Sequence, residues 1–415
     1  MQPRVGHASV AIIFSRAPSG GPQAPYPAAM REEMWDAVVV GGGPAGSAFA
    51  LELAGQGQRV VLLERTQSAQ HKVCGEFLSR ETVELLSYLD VDVGTLGATR
   101  IDQFRLVAGD RAAEISLPFA ARALSRFRLD EALLARAERI GVRVVRGARV
   151  VGVDASGEGA VVKTENAAWP GRVVGLATGK HALRGIKRPL GVMAGFKMHI
   201  ASPNAARVLA NAVQLVFFRG GYLGACIVEE GVLSVGWVIK PDVLREVGAH
   251  WHEQAAFLSR QSPFATALLR DARPLFEKPV STAAIPYGFL RSAEIAPSIY
   301  PLGDQLAVVP SFTGDGLAIA LASGVAAARG VIAKQTAGEV QRTLIGKMRP
   351  QFWIAGALGR MLETPALSPV TITAARMLPR VARQMVKATR LRGFAYLLDR
   401  SALHFDLAPR SVPVD

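Results

Sequence analysis

Residues 35–65 read WDAVVVGGGPAGSAFALELAGQGQRVVLLER, and this stretch decides the fold. Ala37 to Val40 is an unbroken apolar run rich in β-branched residues that stops at glycine, the pattern of a strand buried on both faces. Pro44 stands where a helix starts, because its missing N–H costs nothing in the first turn. Ala48, Leu51 and Ala54 continue an apolar face until Gly55 and Gly57 end it. Val60 to Leu63 is the second strand. The spacing therefore predicts strand, glycine turn, helix and strand, a complete βαβ unit of an α/β protein.

Gly41, Gly43 and Gly46 form G-x-G-x-x-G between the first strand and the helix. The first glycine allows the tight turn, the second lets a pyrophosphate approach the backbone, and the third lets helix and strand pack closely. Pro44 and Ala45 open the helix, whose positive N-terminus faces the phosphates. Glu64, at the end of the second strand, stands where an acid accepts hydrogen bonds from a ribose, with Arg65 beside it. In this context the glycines predict a dinucleotide site.

Outward from this unit, 415 residues suffice for two or three domains, with 50% hydrophobic and 20% charged residues. That composition excludes disorder, collagen and coiled coil for the chain as a whole. Uncharged apolar stretches, such as Gly316 to Ala328, are shorter than the roughly 20 residues of a membrane span. Cys74 and Cys226 are the only cysteines, which excludes a disulfide framework and structural zinc and fits a reducing compartment. The net charge is +14, and from Gln341 to Asp415 there are 12 Lys/Arg against 4 Asp/Glu. With no basic run interleaved with aromatics, no nucleic-acid partner is expected. Met361 to Phe394 instead mixes apolar residues with Arg376, Arg380, Arg383, Lys387 and Arg390 at near-helical spacing, so peripheral association with an anionic membrane is a candidate beside a merely solvated face. A cytoplasmic location, peripheral at the inner membrane surface in that case, is the expectation.

The chain divides by pattern. Residues 1–34 read as a disordered leader, with Met30 or Met34 as alternative starts; 35–185 as the first part of the dinucleotide-binding domain; 186–294 as a mainly β substrate domain; 295–335 as the second part of the binding domain; and 336–415 as a helical, basic C-terminal region. Helix is expected around Leu129 to Ile140, and strands at Val142 to Val145, Arg149 to Val153, Val173 to Ala177, Val213 to Phe218, Gly224 to Val228 and Val232 to Ile239.

Five segments taken in order carry a family resemblance: the first fingerprint ending in Glu64-Arg65, HKVCGEFLS (residues 71–79), LSRFRLDEALL (124–134), Ala177-Thr178-Gly179, and PLGDQLAVVPSFTGDGLAIAL (301–321). Together they resemble the FAD-dependent oxidoreductases of the p-hydroxybenzoate hydroxylase fold, and most closely their geranylgeranyl reductase-like branch. The resemblance implies a Rossmann-like FAD-binding domain of that type, with an inserted mainly β substrate domain and a helical C-terminal region. It also implies that Asp304 meets the ribityl hydroxyls, that Arg126 and Thr178-Gly179 lie near the cofactor, and that Gly314, Asp315, Gly316 and Leu317 open a helix whose amides stabilise negative charge on the reduced ring.

Lys72-Val73-Cys74-Gly75-Glu76 is similar to the K-x-C-G signature of that branch, which lies beside the flavin ring. A thiol there can tune the ring or take part in a proton step, and Lys72 or Glu76 can bind or protonate. Packing on the cofactor is the alternative for Cys74. Phe217, Phe218, Tyr222, Trp237, Tyr287 and Phe289 are expected around an apolar substrate pocket, core packing being the alternative for each.

Several classes fall away. There is no second dinucleotide module and no C-x-x-C, which excludes a disulfide reductase; NAD(P)H, or a partner reductase, then serves as a transient electron donor. His250 and His252 are two apart in an apparent helix and do not share a face, so no metal is expected. Val235 to Lys240 lacks the Trp-x-Trp-x-Ile-Pro marker of flavin halogenases and departs from the Tyr-x-Trp-x-Phe-Pro motif of geranylgeranyl reductases. The first expectation is a monooxygenase of secondary metabolism that hydroxylates a hydrophobic aromatic or polyketide-type molecule, reduced flavin meeting dioxygen in a dry pocket. Reduction of isolated double bonds in a prenyl substrate is the alternative; halogenation and a non-catalytic flavin protein docking at a membrane rank lower. For the enzymatic readings, the basic C-terminal region is expected to be dispensable for chemistry.

Overall fold

The computed structural model describes residues 34–156, 159–181 and 183–399. The leader expected at the N-terminus lies almost entirely outside them, as does the end of the C-terminal region. The chain opens with β1 (Trp35–Val40), α1 (Pro44–Gly55) and β2 (Val60–Glu64). There follow β3 (Phe77–Leu78), α2 (Arg80–Tyr88), the long hairpin β4 (Thr99–Ala108) and β5 (Arg111–Ala123), α3 (Arg126–Arg139), β6 (Arg143–Arg146), and the meander β7 (Val150–Ser156), β8 (Gly159–Thr164) and β9 (Ala168–Leu176). Next come β10 (Met193–Ala201), α4 (Ala205–Leu209), β11 (Ala212–Phe218), β12 (Gly221–Ile227), β13 (Leu233–Ile239), α5 (Pro241–Val247), α6 (Trp251–Ser259), α7 (Pro263–Leu269), β14 (Arg273–Pro274), β15 (Val280–Ile285) and β16 (Phe289–Leu290). The chain then returns through β17 (Ile299–Pro301), β18 (Ala307–Val308) and α8 (Gly316–Ile332) to three further helices, α9 (Ala337–Glu363), α10 (Ser368–Met377) and α11 (Pro379–Ala388).

Two sheets organise these elements. In the first, β6, β2, β1, β9 and β17 run parallel, and β8 and β7 extend β9 as an antiparallel meander. Val38 to Val40 and Val60 to Leu63 are fully buried, as parallel strands covered on both faces must be. α1 lies between this sheet and α8 because small residues let it: a Cβ on Gly46 would stand 2.0 Å from the Gly41 carbonyl oxygen, and one on Gly324 2.4 Å from that of Ala45. Phe49, fully buried on α1, fills the remaining space against Gly175 and Tyr300.

The second sheet runs β14-β10-β13-β12-β11-β4-β5-β3, with β15 also on β10. It begins earlier in the sequence than the expected 186–294, because the hairpin of residues 99–123 joins it through the parallel pair β4–β11. Alternation on β10 divides its chemistry. Phe196, Met198 and Ile200 enter the core beneath α6 and α7, whereas Lys197 and His199 point to residues 71–76. α10 and α11 cover β5.

Because Phe49 is wedged between a strand and a ring, Phe49→Ala is expected to cost about 3–5 kcal/mol, read as a lower denaturant midpoint at unchanged slope.

Candidate functional site

One cavity of about 280 Å³ joins the two sheets. At one end it is walled by Gly43, Pro44 and Ala45, the N-terminus of α1. Gly41 is held there at φ +105°, and a Cβ on it would lie 2.4 Å from the Ala177 carbonyl oxygen. Gly43 differs: its φ is ordinary, and the only atom a Cβ would meet is Arg126 Nη2 at 3.5 Å. Nothing within the protein demands a glycine at 43. The open cleft above it is the space a pyrophosphate needs, so the residues fit the FAD that the sequence implies. Glu64, outside the cavity wall, accepts hydrogen bonds from the Gly42 N–H at 2.8 Å and from the N–H and hydroxyl of Thr66. Burial raises its carboxyl, but these bonds outweigh burial and hold it below the usual range, so it stays an anionic acceptor at the strand end.

The second part of the wall comes from the loops after β9 and β17. Gly179 and Asp304 line the cavity, and Asp304 forms an ion pair with Lys180 at 3.0 Å. Sequence reading missed Lys180, although it directly follows Thr178-Gly179. Thr178 turns away and donates to the His181 carbonyl, while Arg65 meets the His181 ring. Arg188 and Gln305, also unforeseen, tie down the carbonyls of Gly179 to His181.

Gly314, Gly316 and Leu317 line the cavity where α8 begins. Asp315 lies behind them, fully buried, in an ion pair with Arg390 at 2.9 Å and accepting from Gln351 at 2.6 Å. Burial pushes its carboxyl up to about 6 despite the guanidinium. Arg390 also donates to the Thr313 carbonyl. The expectation of a dispensable C-terminal region is therefore corrected: Leu358, Leu362, Val386 and Arg390 are themselves cavity wall, and Arg390 fixes the loop that opens α8.

Opposite stands the loop of residues 71–76. Cys74, Gly75 and Glu76 reach the cavity; Lys72 does not line it. The half-buried Cys74 thiol accepts the Glu76 N–H at 3.3 Å. Glu76 has no exposed side chain. Its carboxylate meets Lys197 Nζ at 2.5 Å and His199 Nε2 at 2.8 Å and accepts the Arg126 N–H at 2.9 Å. Burial raises its proton affinity, but Lys197 and His199 prevail and push it down to about 2. Glu76 is a structural anion, which corrects the expectation that it protonates substrate. Lys197 Nζ further donates to the Cys74 carbonyl at 3.1 Å. His71, Glu76 and His199 converge within 4.8 Å with metal-ligand chemistry that the sequence did not suggest, yet the Lys197 ammonium already supplies the positive charge. Arg126 lies between this loop and Gly43, in a bidentate pair with Asp130. Burial alone would lower its proton affinity; the Asp130 carboxylate raises it.

Of the aromatic residues expected around substrate, Tyr222, Trp237 and Tyr287 line the cavity. Tyr222 and Tyr287 both hydrogen-bond the Ser311 hydroxyl, and burial raises both phenols above their usual range. Ser311 gave no signal in the sequence. The Trp237 N–H is taken by Gln254 at 2.7 Å, so the residue offers only an apolar surface. Phe217 stands behind Tyr222, Phe218 packs on Phe257, and Phe289 lies beneath Arg291; these three do not line the cavity. Their places are taken by Phe104, Leu117, Phe119 and Phe312, the first three from the hairpin that sequence reading assigned to the other domain.

Among the described residues no helix is long and apolar enough to cross a membrane. The geometry of the two loops makes two substitutions informative. Gly43→Val fills the cradle and is expected to abolish FAD retention, read as loss of flavin absorbance after gel filtration. Glu76→Gln leaves Lys197 buried without its anion and is expected to cost about 3–5 kcal/mol. Because the Glu76 pKa is lowered on folding, its contribution is complete above the unfolded value near 4.5 and is lost as pH falls toward 2; denaturation midpoints of wild type and variant converge over that window.

Comparison with known proteins places this geometry. Residues 34–168 match the family model described as FAD binding domain. The menaquinone reductase of Mycobacterium tuberculosis is 27% identical over 353 residues, covering 81% of this chain and 86% of that protein. Among solved structures, halogenase PltM in complex with phloroglucinol and FAD aligns with a TM-score of 0.68 at 14% identity over 85% of each chain. A geranylgeranyl bacteriochlorophyll reductase-like protein from Thermoplasma acidophilum aligns with a TM-score of 0.68 at 16% identity over 88% of this chain and 98% of that one. With an FAD binding domain over residues 34–168 and the p-hydroxybenzoate hydroxylase type of fold over most of the described residues, the chain is an FAD-dependent oxidoreductase.

Proposed function

We propose that the protein is a reductase that uses FAD to saturate a carbon–carbon double bond of a prenyl-type lipid carrying a quinone or phenolic head. The observation that carries this reading is the continuous cavity in which the FAD cradle at Gly43 runs on into an apolar chamber with the Cys74 thiol in its wall. Similarity to the menaquinone reductase over most of both chains supports it, and moves hydroxylation, the first expectation from sequence, to second place.

When bound and reduced, FAD would supply the hydride for one carbon of the bond. The chain's own residues do the rest. Phe104, Leu117, Phe119 and Phe312 exclude water and hold an apolar chain. Tyr222, Tyr287 and Ser311 share hydroxyl protons and can donate to a carbonyl or phenolic oxygen of the head. Cys74 gives the proton that the second carbon requires, and the Glu76 N–H on its sulfur stabilises the thiolate left behind. Electrons come from NAD(P)H bound transiently without a module of its own, or from a partner reductase.

Hydroxylation is the second reading because the Tyr222–Ser311–Tyr287 cluster suits a phenol equally well. Anaerobic mixing of the reduced holoprotein with a short-chain prenyl quinone separates the two. Reoxidation without dioxygen is expected, with a product that keeps two added hydrogens on its prenyl chain after its head has been reoxidised to the quinone; a product that gains oxygen, and only in air, selects hydroxylation. Cys74→Ala is expected to retain FAD while slowing anaerobic turnover about 10²–10⁴-fold.

A further inference from the structure

We infer that the outer faces of α10 and α11 form a docking surface for an anionic lipid bilayer, and that the substrate passes from that bilayer into the cavity beside α11. Two stripes of exposed apolar side chains carry the first half. On α10 and the residue before it, Leu367, Val370 and Met377 are 47%, 62% and 74% exposed, at spacings that share a helix face. On α11 and the residue before it, Leu378, Val381 and Met385 repeat the arrangement at i, i+3 and i+7, at 54%, 51% and 45%. Their inward neighbours, Ile372 on α10 and Ala382 on α11, are buried against β5, so the exposed stripes are not the core faces of these helices.

Charge selects the occupant. Arg376, Arg380, Arg383 and Lys387 are exposed on the same two helices, and among the described residues none is in an ion pair. From Arg349 to Arg392 the chain carries eight Lys/Arg and one carboxylate, Glu363. An apolar stripe beside such an excess of cations suits an interface of acyl chains and anionic headgroups, where the cations meet phosphate while the apolar residues enter the hydrocarbon boundary. A protein partner or a second copy of this chain would have to bring a matching acidic rim; this chain's own surface here is uniformly basic.

The second half follows from what lies beneath. Val386, Thr389 and Arg390, at the end of α11, line the cavity, as do Leu358 and Leu362 of α9. The helix that bears the lipid-facing stripe is thus also a wall of the apolar chamber, and a prenyl chain leaving the bilayer need not cross water. This step rests on the prenyl-lipid reading above; the docking surface itself does not.

The test is flotation of the full-length holoprotein with vesicles of phosphatidylglycerol and phosphatidylcholine, against phosphatidylcholine alone. The protein is expected to float with the anionic vesicles only, and less at high salt. Arg380→Gln/Arg383→Gln/Lys387→Gln is expected to weaken partition about 100-fold, at roughly fivefold per cation. Val381→Glu/Met385→Glu is expected to abolish it while FAD content and anaerobic turnover of a water-soluble short-chain quinone stay at wild-type levels. Absence of flotation, or flotation unaffected by either variant, overturns the docking surface, as does a dimer that Val381→Glu/Met385→Glu dissolves without any vesicle binding. Substrate access from the bilayer is tested separately with a long-chain quinone embedded in the vesicles: Val381→Glu/Met385→Glu lowers that rate alone if access is from the membrane, and equal rates for both variant and wild type overturn it. Failure of the soluble quinone to react in wild type counts against the reductase reading and leaves the flotation result standing.

Discussion

The buried carboxylate of Glu76 is the point on which the two sheets depend. It sits on the loop that leaves the first sheet, and its charge is met by Lys197 and His199 from a strand of the second. Neither side chain of the Glu76–Lys197 pair is exposed, so solvent cannot relieve either charge, and separating them would leave both stranded. That cost makes the relative placement of cofactor loop and substrate sheet nearly discrete. Glu76 also adopts φ +56°, a left-handed conformation that a glutamate takes only where its surroundings enforce it. The Arg126 N–H on its carboxylate and the Leu124 N–H on its carbonyl extend the same clamp to the start of α3, and so to the arginine beside Gly43.

A second buried pair does the same from the other side. Asp315 and Arg390 join the loop opening α8 to the chain after α11, and Gln351 of α9 adds a third attachment. The C-terminal helices are thus built into the site, which reconciles two features that looked separate in the sequence: a glycine-rich flavin loop and a basic helical end. The arginine that the composition counts as part of the basic excess is the one that turns inward. Its neighbours Arg376, Arg380, Arg383 and Lys387 stay exposed on the outer faces.

Legibility followed the range of the interactions. The βαβ unit was readable because its signals are local: the valine run from Val38 to Val40, Pro44 at the first helical turn, and glycines whose contacts lie within the same unit or one strand away. Three strands of the second sheet, β11, β12 and β13, were also found within a few residues, from their alternation or continuous apolarity. What escaped was nonlocal. Nothing in residues 99–123 says that this hairpin pairs in parallel with β11, so Phe104, Leu117 and Phe119 were not expected at the substrate. Lys197, an isolated lysine in an apolar strand, is a signal that was available: such a residue is costly to bury without an anion, and its partner is the glutamate of the one segment already singled out. Phe217 and Phe289 failed for the opposite reason, since an aromatic residue on a strand is legible as buried but its face depends on register.

The site's two walls are not independent. A Cβ on Gly314 would lie 2.7 Å from Phe77 Cδ1, so the loop carrying Gly314 and the loop carrying Cys74 and Gly75 are in contact through the glycine. Gly314 itself needs its φ of +73°, and no larger residue fits against Phe77. The loop 310–316 bears Ser311 on its substrate side and the amides that open α8 on its cofactor side; the loop 71–77 bears Cys74 at the cavity and Glu76 in the clamp. Each wall therefore serves ring and substrate at once. A change that moves either loop reshapes both ends of the cavity together, and the cavity wall can vary most freely outside both loops, on the hairpin β4–β5 and on α9 and α11.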